Sequence, residues 1–237
     1  MKIFACCLFV IFTKSNYNNP RQQKYPTVIA NFKDDTTLTR DDTKLYSQQF
    51  DNLNRLVGKR IDEIVFYLDD TDKDFSEVEN SYGKSLHTGI DIKVGNIYFS
   101  IGCRFTDIHY GLTISEGRTT EFEFIEEEKS PVTFDTKIIG QTIESVDIYW
   151  MKIPWDGAVG YYPQEFVIKT ENDFFLISSI EINNGEVNTE FTNELLVIEN
   201  EETAKQLQLG PFGLGDNGRE WFKNFDEFNE ADKKNWL

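Results

Sequence analysis

Apolar and polar residues alternate with a period of two along much of this chain. The runs E-F-V-I-K-T and F-F-L-I-S-S (165–170 and 174–179) are rich in β-branched and aromatic residues and read as paired strands. Residues 108–115 predict another strand. So do residues 119–126, where T-E-F-E-F-I-E puts Phe122 and Phe124 inward and the glutamates outward. Alternation of this kind implies an antiparallel sheet with one wet face.

Helical spacing is scarcer. In T-K-L-Y-S-Q-Q-F-D-N-L-N-R-L-V-G (43–58), Leu45, Phe50, Leu53 and Leu56 fall near one stripe, and Gly58 is placed to end the helix. E-E-T-A-K-Q-L-Q-L-G (201–210) has acids at its start and Gly210 at its end, which suits the helix dipole. The tail 218–236 sets Trp221, Phe222, Phe225 and Phe228 on a helix-like stripe, with a loop, G-P-F-G-L-G-D-N-G, before it.

One pattern occurs twice. L-V-G-K-R-I-D-E-I-V-F-Y (56–67) aligns with I-I-G-Q-T-I-E-S-V-D-I-Y (138–149), matching Gly58 to Gly140, Ile61 to Ile143 and Tyr67 to Tyr149. Downstream, I-D-I-K-V-G-N-I-Y-F-S-I (90–101) resembles F-V-I-K-T-E-N-D-F-F-L-I-S (166–178), and G-L-T-I-S-E (111–116) resembles L-L-V-I-E-N (195–200). Three segments recurring in order point to an internal duplication. Each copy carries a glycine turn, a strand and a hairpin, with tips at Gly95-Asn96 and at Glu171-Asn172-Asp173. The expected fold is therefore α+β, dominated by antiparallel β-sheet, with two related β-rich halves and a few peripheral helices. The two copies should share strand order, and Gly58 and Gly140 should occupy equivalent turns. In domain terms, 1–33 is a basic leader or signal-like segment. Residues 34–130 form the first half, and 131–237 the second half with a helical tail.

Composition adds constraints. The 237 residues include 20 Phe and 10 Tyr, enough apolar material for a substantial core. The net charge is -17, and residues 1–33 contain five basic residues and no acid, so -22 falls on residues 34–237. Such a surface disfavours nucleic acid and favours a basic protein partner or simple solubility. The run Ile3–Phe12 behind Lys2 fits the first two regions of a signal peptide, but Lys14 interrupts the cleavage region and no A-x-A-like site follows. A buried first strand is the alternative. The run is too short to span a bilayer. Outside this leader stands a lone cysteine, Cys103, which reads as a small buried hydrophobe.

Signatures of catalysis are missing. His87 and His109 have no zinc-type spacing around them, and no P-loop, G-x-S-x-G or dinucleotide fingerprint occurs. The expectation is a protein that is not an enzyme, with no cofactor and no metal. Asp70, Asp72 and Asp74 begin like a calcium loop, but Phe75 replaces the needed glycine and Ser81 the needed glutamate. This stretch reads as a solvated insertion. Two regions are candidates for partner binding: the acidic Asp69, Asp70, Asp72 and Asp74, and the connection W-M-K-I-P-W-D-G-A-V-G-Y-Y-P (150–163) with Trp150, Trp155, Asp156, Tyr161 and Tyr162. Aromatic loops anchor interfaces, and they also cap cores. Both readings stand.

The phrases L-V-G-K-R-I-D-E-I, Y-P-Q-E-F-V-I-K-T-E-N-D-F-F-L-I-S-S and L-L-V-I-E-N-E-E resemble small bacterial immunity proteins that accompany polymorphic toxins. The resemblance covers about residues 52–205 and fixes no functional residue. It implies an acidic, cytoplasmic, non-catalytic protein that blocks a basic toxin. The alternative is an exported or surface-attached β-rich protein whose aromatic loop binds a carbohydrate or host component.

Overall fold

The computed structural model describes residues 42–69, 83–86, 89–105, 110–121, 129–155, 158–183, 186–188, 194–215 and 218–235. These belong to one unit, Asp42–Leu237. The leader, both histidines, Asp70, Asp72, Asp74 and Asp156 lie outside the described residues.

Helix α1 (Asp42–Leu56) buries Phe50, Leu53 and Leu56 of the expected stripe together with Tyr46, which the spacing does not single out, while the Leu45 side chain lies outside what is described. It stops where Gly58 enters the left-handed region at φ +77°, a conformation that suits glycine. Thirteen strands follow among the described residues, most of them in two main sheets. The first sheet orders β5 (Tyr110–Glu116), β4 (Ile97–Phe105), β3 (Gly89–Val94), β1 (Glu63–Asp69) and β6 (Lys129–Val132). The second orders β13 (Arg219–Trp221), β7 (Ile143–Trp155), β8 (Ala158–Thr170), β9 (Phe174–Ser178), β12 (Leu195–Ile198) and β2 (Lys84–Leu86). A small hairpin, β10 (Glu181–Asn183) with β11 (Glu186–Asn188), stands apart. Every pairing is antiparallel. The fold is α+β and β-dominated, with two β-rich halves.

The halves repeat each other down to register. In the first, the meander runs β1-β3-β4-β5; in the second, β7-β8-β9-β12. Phe66 faces Ile90 as Ile148 faces Phe166, and Ile92 faces Phe99 as Ile168 faces Phe175. Both hairpins have two-residue tips, Gly95-Asn96 and Glu171-Asn172, because Asp173 already bonds back to Thr170. The third matched segment shifts by one residue from the alignment read in the sequence. Gly102 faces Thr113 as Ser178 faces Leu196, so Ile114 corresponds to Val197 and Leu112 to Leu195. The shift matters because a one-residue slip changes the face of every side chain. With the correct pairing, Leu112, Ile114, Leu195 and Val197 all belong to the core shared by both sheets.

The copies meet at their glycine turns. Gly58 N–H donates to the Ile143 carbonyl and Gly140 N–H to the Ile61 carbonyl, each at 2.8 Å. Ile61 N–H donates to Gln141 and Ile143 N–H to Lys59, each at 2.9 Å. These four bonds exchange under the repeat, and Arg60 pairs with Thr142, its own counterpart. A local two-fold relation between the turns follows.

Several elements depart from expectation. Residues 119–121 form a 3-10 turn rather than the start of a strand, and Phe122 and Phe124 lie outside the described residues. The Pro-containing K-S-P-V forms β6, tolerable because it is an edge strand. Residues 150–163, read as a connection, are mostly strand. β7 and β8 run thirteen residues each, with a register shift after Tyr149 that places Pro163 opposite Trp150. A bulge lets a strand carry proline. Helix α2 (Glu201–Gln206) ends before Gly210, with Gln208 in the left-handed region at φ +54°. Trp221 belongs to β13 and Phe222 follows it, so the tail helix α3 (Phe225–Asn235) starts later than the aromatic stripe suggested. The boundary drawn at residue 130 falls inside β6, which pairs with β1.

Candidate functional site

The glycine turn and the hairpin tip of each half lie at the same end of its sheet, and between them each half forms a groove. In the first half the groove has a volume of about 720 Å³ and is lined by Arg55, Lys59, Arg60, Val57, Ile97 and Asp62, among others. Val57 and Ile97 are 41% and 36% exposed, two of the few large apolar side chains in the open. Asp62 Oδ2 accepts the Gly95 N–H at 2.6 Å, so the acid is used to fix the hairpin tip. Arg55 pairs with Glu116 at 2.7 Å and lies over the Phe99 ring at 5.2 Å. That hydrogen bond raises the Arg55 pKa and lowers that of Glu116. Arg60 Nε donates to the Gly140 carbonyl at 2.9 Å, and Lys59 makes no ion pair.

The second-half groove has a volume of about 400 Å³ and opposite character, with Glu171, Asp173, Glu199 and Glu201 set against Lys137 and Lys169. Some of its residues answer those of the first: Lys137 stands for Arg55, Glu171 for Gly95 and Asp173 for Ile97. Glu199 receives Lys84 at 2.5 Å and the Lys137 N–H at 3.2 Å. Asp173 accepts from Gln141 Nε2, and Thr170 Oγ1 donates to Gln141 Oε1 at 2.6 Å. Glu171, at the tip, is exposed and makes no side-chain hydrogen bond or ion pair among the described residues. The two grooves therefore share several register-equivalent positions and differ in charge.

The other polar groups are structural. Asp91 is fully buried. It accepts from the Tyr67 hydroxyl at 2.8 Å and from the Thr119 N–H and hydroxyl at 2.8 and 2.6 Å, tying the 3-10 turn to β3. Burial, and then the bond to Asp91, pushes the Tyr67 pKa up, which leaves it a donor rather than a base. Glu165 and Arg219 form a buried pair at 2.9 Å, and Glu165 also accepts the Gly210 N–H at 2.7 Å. Cys103 donates to the Ser179 hydroxyl at 3.2 Å, and burial pushes its thiol up to about 12, the opposite of what a nucleophile requires. Among the described residues, no three His, Cys, Asp or Glu converge as a metal site. None of their helices is long and apolar enough to cross a membrane.

The partner-binding residues expected from sequence are redistributed. Trp150 is fully buried, stacked on Phe228 at 4.2 Å and edge-on to Tyr46 at 5.1 Å. Tyr161 is 3% exposed against Phe222, its hydroxyl donating to Glu220, and Tyr162 is 1% exposed. This corrects their assignment as anchors. The bulged hairpin turns Trp150 and Tyr161 under α1 and α3, where they cap the core, and Tyr162 is buried as well, so none of the three presents a face to a partner. Trp155 ends β7 and Asp69 ends β1, with side chains outside what is described. The residues that do converge in the open, Glu171 and Glu201 in one groove and Lys59 and Arg60 in the other, were not singled out from sequence. Laying the duplicated turn beside the duplicated hairpin would have found both sets. The chain matches no protein-family model, no curated protein and no solved structure.

Proposed function

We propose that this protein is a non-catalytic acidic binding protein that takes a basic protein partner, and that it acts as an immunity protein neutralising a basic toxin. The observation that carries the reading is the second-half groove. Glu171 stands there exposed, without an ion pair among the described residues, near Glu201, on a chain of net charge -17. Fixed carboxylates around an open groove attract a cationic side chain, and the field of the whole molecule speeds its approach. The proposed setting is cytoplasmic, with export through the signal-like leader as the alternative.

The test is capture of partners from source cells at low salt, followed by stopped-flow association of the captured basic protein with wild type and with Glu171→Lys/Glu201→Lys. Association should slow roughly tenfold or more in the variant and lose much of its salt dependence, with dissociation changing less. Capture of acidic proteins only, or association kinetics equal in both forms, refutes the proposal.

A further inference from the structure

We infer that the first-half groove is a second binding surface, taking an extended acidic segment of a partner protein with an aliphatic side chain at its centre. The groove brings Arg55, Lys59 and Arg60 around Val57 and Ile97, on a protein whose acids outnumber its bases 41 to 24. Its one acid, Asp62, is already occupied by the Gly95 N–H. The nearby helix end does not cancel this charge. The Asn54 and Leu56 carbonyls are taken by the N–H groups of Val57 and Lys59, and Arg55 is paired with Glu116, so Lys59 and Arg60 are the charges presented.

Charge complementarity selects the occupant. An exposed aliphatic floor between cations fits a chain that alternates acids with an aliphatic anchor. A purely anionic ligand would leave Val57 and Ile97 wet, and a purely apolar one would strand Lys59 and Arg60. The acids elsewhere on the chain do not prevent this. At physiological salt, charges separated by more than about 8 Å are largely screened, whereas contact charges are felt in full. The equivalent groove in the other half replaces Ile97 with Asp173 and Gly95 with Glu171, so the two surfaces sort partners of opposite charge.

The experiment pans a random peptide library displayed on phage against the full-length protein. Fluorescence anisotropy then measures the selected peptides on wild type, Lys59→Glu, Val57→Asp and Glu230→Lys. All three positions are exposed, and thermal melts confirm that each variant folds. Selected peptides should carry Asp or Glu on both sides of a Leu, Ile or Val. Their affinity should fall roughly tenfold in Lys59→Glu and in Val57→Asp and hold in Glu230→Lys. Recovery of no peptides, of peptides without acidic enrichment, or of acidic peptides that bind Lys59→Glu as well as wild type overturns the inference. Sedimentation with phosphatidylserine vesicles that depends on Lys59, without peptide binding, also overturns it and assigns the groove to a lipid surface.

Discussion

Replacing Arg219 with methionine removes one charge from a buried pair and leaves the other behind. Arg219 is 4% exposed; its Nη2 lies 2.9 Å from Glu165 and its Nη1 donates to the Gln208 carbonyl at 2.6 Å. In the variant, Glu165 loses its charge partner while keeping the Gly210 N–H, and the Gln208 carbonyl loses the Arg219 donor. Stranding one partner of a buried pair costs roughly 3–5 kcal/mol. For a unit of this size each kcal/mol lowers the melting temperature by about 2–4 °C, so Arg219→Met should melt some ~6–20 °C below wild type. The loss should also depend on pH. Burial, outweighing the attraction of Arg219, already holds the Glu165 carboxyl above its ordinary range, and removing the arginine raises it further. A raised folded-state pKa favours the folded protein below the unfolded pKa, and that advantage is lost as pH rises through the folded value. The deficit of Arg219→Met should therefore be largest near neutrality and above, and shrink on acidification toward about pH 5. Glu165→Leu/Arg219→Met, which removes both charges, should recover most of the loss. Circular dichroism melts and urea titrations across pH measure all of this. A cost below about 1 kcal/mol, or a deficit that grows on acidification, would refute the reasoning.

Other perturbations isolate single causes. Gly58→Ala meets no atom within 4 Å, so its cost of about 1–2 kcal/mol in a urea titration should reflect the left-handed backbone alone, and Asn at the same position should cost less. Gln49 is fully buried with neither amide atom bonded, so Gln49→Leu should stabilise by about 1 kcal/mol in the same assay. Trp150→Ala, which empties the aromatic cluster, should destabilise by about 3–5 kcal/mol, and a small loss would mean that the ring is not core. At pH 8 the Cys103 thiolate is roughly one part in ten thousand, so peptide mapping after iodoacetamide should find Cys103 unmodified until the protein is unfolded.

The architecture was legible where one sequence signal governed one element. The α1 stripe, the Gly58 stop and the repeated meander all followed from spacing, because burial of one face leaves a periodic trace. The third repeat segment slipped by one residue because G-L-T-I-S-E and L-L-V-I-E-N are apolar on both faces in the second copy, where Leu196 and Ile198 pack under the C-terminal cover. Alternation, which would have fixed the register, is lost there. β2 was invisible because three residues carry no period. Its place shows only in Gly83, where a Cβ would stand 2.1 Å from the Val197 carbonyl. The grooves were missed for a different reason. Lys59, Arg60 and Ile97 are unremarkable singly and become a surface only when the turn is folded beside the hairpin.

The reciprocal turns carry a hazard for folding. Strands that obey the same register code can pair with the wrong copy, so β1 of one molecule has a plausible mate in β8 of another. Exchange of this kind is a characteristic failure of repeat-containing chains. The molecule counters it with the parts that do not repeat. A bulge marks β7 and β8, helix α1 precedes only the first copy, and β2 leaves its own half to close the edge of the other sheet. Once β2 is seated, the first copy is bound to the second in the same chain. Irregularity here acts as an address, telling each half which neighbour is its own.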